Sequence, residues 1–271
     1  MNRPSRASLV EKFIAKNGYS PSPENPVTFN EKILRRKIYG QDPLMIGLTD
    51  KLKARLYVEN ICPDLKLIPC RVVREDDPPP TKYPVVLKPN NKSGQTKVVH
   101  SKREYRKAFE NLLRLKDKHY GWDKGEWTYA GVSFEIMVEK VIPHFTEFHL
   151  YCFSGKVGMV LVVDQYQNLP SRPTSRGPDG MSLFKPNGTL FDAYIEGRKI
   201  THSLRPVSVQ TWNRLIDAGT ILSKPFDFVR IDLMVTPDRD IYFTEFTFFP
   251  ASGNYPWRPR TFDTYLGGLW K

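Results

Sequence analysis

The chain has 271 residues, 40% hydrophobic and 26% charged, with a net charge of +12. That composition excludes a disordered or fibrous chain and allows one large body or two closely packed lobes around a sizeable core. Its lysines and arginines are spread along the whole length without a dense basic tract or a nucleic-acid motif. Nucleic acid is therefore not an expected partner, whereas acidic small molecules, nucleotides, an anionic polymer or a membrane surface suit a dispersed positive field.

No apolar run approaches a membrane span; VGMVLVV, among the longest, reads as a buried strand. The opening MNRPSRASLVEKF turns charged too early for a signal peptide. Cys62, Cys70 and Cys152 are odd in number and lack metal-ligand spacing, so they read as reduced thiols. The expected location is cytoplasmic, with the inner membrane face as a peripheral docking place.

In chain order, SLVE (8–11) is a capping box predicting a helix that Gly18 closes, and PSPENP (21–26) is a linker. TFNE (28–31) is a second capping box, opening a helix that Gly40 ends. TDKLKARLYVEN (49–60) predicts an amphipathic helix with Thr49 or Asp50 at its N-cap. KLIPCRVV (66–73) reads as a strand, REDDPPPTKYP (74–84) as a connector, and YPVVLKP (83–89) as a buried strand ending at Lys88 and Pro89. The polar loop NNKSGQTK (90–97) follows, and SKRE (101–104) caps a helix running toward Lys118. FEIMVEKVI (134–142) and TEFHLYCFSGKVGMVLVVDQY (146–166) read as three strands with a Ser-Gly turn. NLPSRPTSRGPDG (168–180) reads as a loop and 208–222 as a helix. The tail ASGNYPWRPRTFDTYLGGLW (251–270) reads as irregular. Strands alternate with helices, which predicts an α/β or α+β body.

VRIDLMVTPDRDIYFTEFTFF (229–249) predicts a β-hairpin that carries a carboxylate in each strand. A tight turn symmetric about Asp238 and Arg239 sets Asp232 opposite Glu245 and Arg230 opposite Thr247, with all four on one face. Opposed side chains lie ~4.5–5.5 Å apart at Cβ, where like charges repel. A buried carboxylate pair must share a proton, find cations or hold a metal. Arg230 supplies one cation, and a hard divalent ion such as Mg²⁺ would supply the rest. An exposed face with a Glu–Arg pair reads the same stretch in another way.

Four features stand in order: Asp50-Lys51 at a helix start, VVLKP with Lys88, MVEKVI with Glu139, and RID…TEFTF. With FNEKILRRK, TDKLKARLYVE, YPVVLKPNNKSG, EFHLYCFSGK and YFTEFTFFPASG, they resemble the TupA-like ATP-grasp family, from about residue 29 to the C-terminus. The resemblance implies an α+β ATP-grasp fold in which two subdomains clasp ATP. Residues 76–142 would form the small subdomain with a phosphate flap, and 143–271 the subdomain with the metal hairpin. A mainly helical region, 1–75, would precede them.

The resemblance also implies site roles. Lys88 and Lys51 would hold ATP phosphates. Ser93 and Gly94 would lie in the flap, where Asn90, Asn91 and Thr96 are further donors in place of extra glycines. Met137, Val138 and Glu139 would form the adenosine pocket. Asp232 and Glu245 would bind Mg²⁺, with Thr247 as third ligand where most ATP-grasp enzymes have asparagine. Arg230 would stabilise the transferring phosphate. His149 stands where the pattern usually has lysine, so its contact with ATP is open. Read from the residues alone, Lys88 is also a strand-end lysine, Lys51 a surface one, Glu139 half of a Glu–Lys pair and His149 a satisfied strand histidine.

The function implied is ATP-dependent carboxylate–amine ligation through an acyl phosphate, with ATP and Mg²⁺ as cofactors. A uronic acid or glutamate carboxylate, on a small molecule or saccharide, would join an amino acid or amine in bacterial surface-polymer or teichuronopeptide-type biosynthesis. An acidic polymer or lipid-linked glycan is a further candidate partner, with Arg172, Arg176, Arg258 and Arg260 to grip it. The alternatives are a kinase acting on a hydroxyl, a nucleotide-sugar glycosyltransferase with DRD (238–240) as its only DxD-type motif, and a non-catalytic nucleotide- or polyanion-binding protein.

Overall fold

The computed structural model describes residues 4–116, 120–164 and 180–271. Helix α1 spans Arg6–Asn17 and is capped by Ser5, which accepts from the Ser8 amide, so the SLVE box lies inside the helix instead of starting it. Left-handed Gly18 closes it as expected. Helix α2 (Phe29–Tyr39) carries the predicted capping box, with Thr28 and Glu31 bonding reciprocally. Asp42 and Pro43 start an unpredicted short helix, α3 (Pro43–Thr49), which ends at Thr49; Asp50 then caps α4 (Lys51–Ile61). The predicted strand over 66–73 is broken around Pro69 into β1 (Lys66–Leu67) and β2 (Cys70–Val73), which join different sheets.

The chain continues through β3 (Val85–Pro89), β4 (Lys97–Val99), α5 (Lys102–Leu113), β5 (Ile136–Lys140), β6 (Thr146–Phe153), β7 (Lys156–Asp164), β8 (Gly180–Phe184) and β9 (Tyr194–Ile195). Helix α6 (Val209–Ser223), β10 (Phe228–Val235), β11 (Ile241–Thr247), β12 (Trp257–Arg258) and α7 (Arg260–Leu269) complete it. The predicted loop 168–180, with Arg172 and Arg176, lies outside the described residues except for Gly180, which opens β8.

Two main sheets result. The larger runs β1-β11-β10-β6-β7-β8, antiparallel except for β1 on β11; the smaller runs β2-β5-β3-β4, antiparallel throughout. Strand alternation divides the larger sheet cleanly. Phe148 and Leu150 lie on the face covered by α6, where Trp212 meets Phe148 and Gly219 is needed because a Cβ there would sit 2.6 Å from Leu150. The opposite face carries Phe228, Arg230 and Asp232 along β10, beside Phe153, Tyr151 and His149 along β6. At one end Phe29 and Trp270 cover Phe228, with ring centroids at 4.9 and 4.7 Å. Toward the other end the same face turns polar. The smaller sheet packs Leu87, Val99, Ile136 and Val138 against Tyr105, Phe109 and Leu112 of α5.

The hairpin reaches its predicted pairing by a different route. Its loop holds three residues, with Thr236 N–H donating to Asp240 and Arg239 left-handed at φ 67. That loop alone would set Asp232 opposite Thr244. An irregularity in β11 moves the register by one, so Asp232 faces Glu245 and Arg230 faces Thr247. Thr244 closes the irregularity by donating to the Asp232 carbonyl at 2.8 Å.

The tail is not irregular: α7 occupies half of it. Its glycine pair hides it in the sequence, and Gly267 is there because a Cβ would meet the Val27 carbonyl at 2.0 Å. Asp263, buried in α7, accepts from the Asn30 amide of α2 at 3.1 Å. Burial pushes its pKa from 3.8 up to about 7. A raised carboxyl pKa gives stability that is full below the unfolded value and is lost as pH rises through 7. Asp263→Asn should therefore gain stability relative to the parent as pH rises from 4 to 8, read by urea denaturation; parallel profiles would refute this.

Candidate active site between the two sheets

On the polar end of the larger sheet, Arg230 grips Asp232 with two bonds, Nε to Oδ1 at 2.7 Å and Nη2 to Oδ2 at 2.6 Å. Arg230 Nη2 also donates to Thr247 Oγ1 at 3.2 Å, and that hydroxyl donates to Asp232 at 3.3 Å. Arg230 and Asp232 are 8% and 5% exposed, which rules out a solvent-facing pair. Burial opposes the guanidinium charge, but Asp232 outweighs it and holds Arg230 above its ordinary range. Glu245, partly buried, takes Lys51 of α4 instead, Nζ to Oε2 at 3.3 Å. Each opposed carboxylate thus has its own cation. His149 stands opposite Asp232, its Nε2 3.4 Å from Glu147 and 3.9 Å from Asp232. Its buried Nδ1 has no hydrogen-bond partner among the described residues, so the satisfied strand histidine does not describe it.

Helix α4 joins this face to the smaller sheet. Lys51 is buried, not a surface lysine; its amide donates to Asn90 O at 3.2 Å and its Nζ to Lys92 O at 2.9 Å. One turn later, Arg55 Nη1 lies 3.6 Å from Glu139, whose other oxygen meets Lys88 Nζ at 2.8 Å. Sequence reasoning missed Arg55, although its i,i+4 spacing from Lys51 on a predicted helix was the signal. Glu139, 4% exposed, is paired across the sheet with Lys88 and not with Lys140, its neighbour in sequence.

Met137 shares a sheet face with Lys88 and Glu139, and Val138 points the other way, into the α5 core. Strand β5 is central, paired with β2 and β3, so the backbone of Met137 and Val138 is engaged within the sheet. The linker 141–145, between β5 and β6, joins the two sheets beyond the strand.

Asn90 and Asn91 are structural, contrary to their expected role as flap donors. Asn90 Nδ2 donates to Asp50 Oδ1 at 2.9 Å and to Ser133 O at 3.0 Å, and Asn91 Nδ2 donates to Val132 O at 2.9 Å. Ser93 bonds Tyr120, and Gly94 is left-handed at φ 73 on the exposed tip with open space around it. DRD (238–240) lies at the hairpin turn with Asp240 2.7 Å from Lys66, remote from these groups in the strand register.

A cavity of about 680 Å³ opens beside the hairpin. Ser93, Arg230, Glu245 and Thr247 line it; Lys51, Lys88, Glu139 and His149 do not. Among the described residues no three His, Cys, Asp or Glu side chains gather as a metal cluster, so the oxygen set here is two carboxylates and one hydroxyl. No helix among them is long and apolar enough to cross a membrane.

The two hairpin acids should differ sharply in their structural weight. Asp232→Ala leaves Arg230 buried without its partner and should cost ~3–5 kcal/mol of stability. Glu245→Gln, at a partly exposed site, should cost about 1 kcal/mol or less. Urea denaturation of both variants checks this, and equal losses would show that Arg230 does not depend on Asp232.

Comparisons with known proteins follow the same lines. The fold is similar to VanG D-Ala:D-Ser ligase from Enterococcus faecalis, with TM-score 0.53 and 16% identity over 84% of this chain and 62% of that one. It is also similar to an L-amino acid ligase from Bacillus licheniformis, with TM-score 0.50 and 13% identity over 92% and 53%. A D-alanine–D-alanine ligase from Bacillus anthracis complexed with ATP gives TM-score 0.49 and 14% identity over 83% and 63%. The chain therefore spans less than two thirds of each of these proteins. No curated protein matches it. The TupA-like ATP-grasp family model matches residues 31–271, and the chain belongs to that family.

Proposed function

We propose that the protein is an ATP-dependent carboxylate–amine ligase that activates a carboxylate as an acyl phosphate. The observation that carries this reading is the array of cations bound to acids across both sheets: Lys51 on Glu245, Arg230 on Asp232, and Lys88 with Arg55 on Glu139. Polyphosphate is a match for such an array, because its oxygens can share Lys51 and Lys88 with acids already in place. Residues 76–142 and 143–271 would clasp the nucleotide, with the 93–96 loop as flap and the Nδ1 of His149, unpartnered among the described residues, as a contact.

The residues present fit Mg²⁺. Asp232 and Glu245 are hard oxygen donors facing each other, and Asp232 keeps lone pairs beyond those taken by Arg230. Asp232, Glu245 and Thr247 would hold the ion, which supplies charge neutralisation at the phosphates when bound.

In the first step a substrate carboxylate oxygen bonds the γ-phosphorus, the bond from that phosphorus to the β,γ-bridging oxygen breaks, and ADP leaves. An amine then bonds the acyl carbon, the carbon–oxygen bond to phosphate breaks, phosphate leaves and the nitrogen loses a proton. Catalysis of this kind is positioning and charge stabilisation, which Lys51, Lys88 and Arg230 provide. The substrates we assign are a uronic acid or glutamate carboxylate and an amino acid or amine, in the assembly of a bacterial surface polymer, at or near the cytoplasmic membrane face.

ADP release with Mg-ATP, measured across uronic acids, glutamate and amino acids with hydroxylamine present, tests the reading. Carboxylate-dependent ADP with trapped hydroxamate is expected, falling at least ~100-fold in Glu245→Gln. ADP without hydroxamate would favour phosphorylation of a hydroxyl instead, and absence of ATP binding would overturn the reading altogether.

A further inference from the structure

The 680 Å³ cavity reaches well past the hairpin. Its far end is walled by α1, through Leu9, Lys12, Phe13 and Lys16, and by Lys37, Lys124 and the turn after β11. Helix α1, residues Arg6–Asn17, precedes the part of the chain that the family match covers. A volume of this size falls within the ~300–1,000 Å³ of pockets that enclose drug-sized ligands, more than one carboxylate fragment needs.

The charges at that end are unequal. Arg230 and Glu245 have Asp232 and Lys51 as partners, and Lys37 is engaged by Ser252 and Glu126, which leaves Lys12, Lys16 and Lys124 in the lining against Asp123. Lys12 Nζ donates to the Asp123 carbonyl at 2.6 Å, a bond that leaves its charge unneutralised. Lys37 is 6% exposed, with its Nζ 2.6 Å from both the carbonyl and the hydroxyl of Ser252. Burial brings Lys37 down to about 8, against the opposing pull of Glu126.

Backbone strain marks the same wall. Ala251 (φ 47) and Ser252 (φ 59) are left-handed, followed by Gly253 (φ 71). Lys37 holds Ser252, and Asn17 of α1 donates to the Gly253 carbonyl at 3.3 Å. Non-glycine residues kept in this region need surroundings that enforce it, and such places cluster at ligand sites.

We infer that this end of the cavity is the subsite for the carboxylate substrate, and that it takes a molecule with two or more anionic groups, one presented at the hairpin and another held by Lys12, Lys16 and Lys124. The inference rests on the ligase reading for which anionic group reacts. The charge selection itself rests on the cavity alone. Helix α1 is then a specificity element, adding substrate contacts from outside the nucleotide-binding body.

Fluorescence anisotropy with labelled tri-L-glutamate, tri-L-phosphoserine and tri-L-alanine tests it, on the full chain with and without Mg-ADP. Tri-glutamate should bind at least about tenfold more tightly than tri-alanine. The Lys12→Glu/Lys16→Glu double variant should lose about tenfold or more, while Lys12→Arg/Lys16→Arg keeps the affinity and the ADP titration stays unchanged. Lys102→Glu/Lys107→Glu, at exposed positions of α5, makes the same change in net charge and should leave tri-glutamate binding nearly intact. Tighter tri-phosphoserine would move the assignment of the second group from carboxylate to phosphate within the same subsite. No tri-glutamate or tri-phosphoserine binding, or equal losses in the α1 and α5 variants, would overturn the inference. Loss of ADP binding in the parent protein would instead strike the ligase reading.

Discussion

Two carboxylates standing opposite each other on neighbouring strands, at a spacing where like charges repel, set the terms for the rest of this structure. Each acid is met by a cation of its own. Arg230 answers Asp232 from within the same strand, two residues away and on the same face. Lys51 answers Glu245 from a helix, and this second answer organises the fold. Bringing Lys51 to the hairpin fixes the N-terminus of α4, which in turn holds the 90–92 loop through the Asn90 and Lys92 carbonyls. One turn along the helix Arg55 reaches Glu139 on the other sheet. A local electrostatic problem is thus solved by a bridge between two sheets.

The polar site is also tied to the core in register. Along β10, Phe228, Arg230 and Asp232 pass from an aromatic cluster to the charged face in three alternate positions. Arg36 of α2 locks the apolar end. It is buried, bonds the Phe228 and Phe248 carbonyls, pairs with Asp227 at 2.5 Å and lies 4.3 Å from the Trp270 ring centre. Burial lowers its pKa to about 10, still far above neutrality, so it stays charged. The C-terminal helix and the N-terminal region therefore meet over the strand that carries the site. A slip of one residue in β10 would exchange Arg230 and Asp232 for Val229 and Ile231, and would place charge under α6.

What the sequence made legible followed this physics unevenly. Acids at apolar strand positions were conspicuous, so Asp232, Glu245 and Glu139 could be picked out, and the order of motifs led to the family. The pairing of Asp232 with Glu245 was right for an incomplete reason. A three-residue loop and a shift in β11 cancel, and a shift of one residue has no signature in hydrophobic alternation. Asn90 and Asn91 looked like ligand donors because polar loop side chains carry no mark of their partners; their amides close the loop onto 132–133 and Asp50. Helix α7 was obscured by a glycine pair, of which Gly267 is required by a close approach to Val27 across more than two hundred residues of chain. Arg55 was overlooked because a lone arginine on an amphipathic helix has an ordinary exposed reading until its tertiary partner is in view. In each miss the deciding contact is long-range, whereas the successes rest on local patterns.

The same contrast bears on how an ATP-grasp body of this size acquires a second substrate. In the function proposed above, nucleotide recognition would be distributed over elements that fold around Lys51, Lys88 and the hairpin, all inside the family match. The neighbouring cavity has its outer wall in α1, a short helix anchored by Phe13 and Leu9 against Leu34, with its lysines turned to the rim. An amphipathic helix can exchange rim residues at little cost to stability, because its packing stripe and its exposed positions are separate. Lys37 cannot be exchanged so freely. It lies beneath the strained Ser252 turn and fixes the cavity floor to α2. A constant floor and a replaceable wall would let substrate choice change while the hairpin face stays in register.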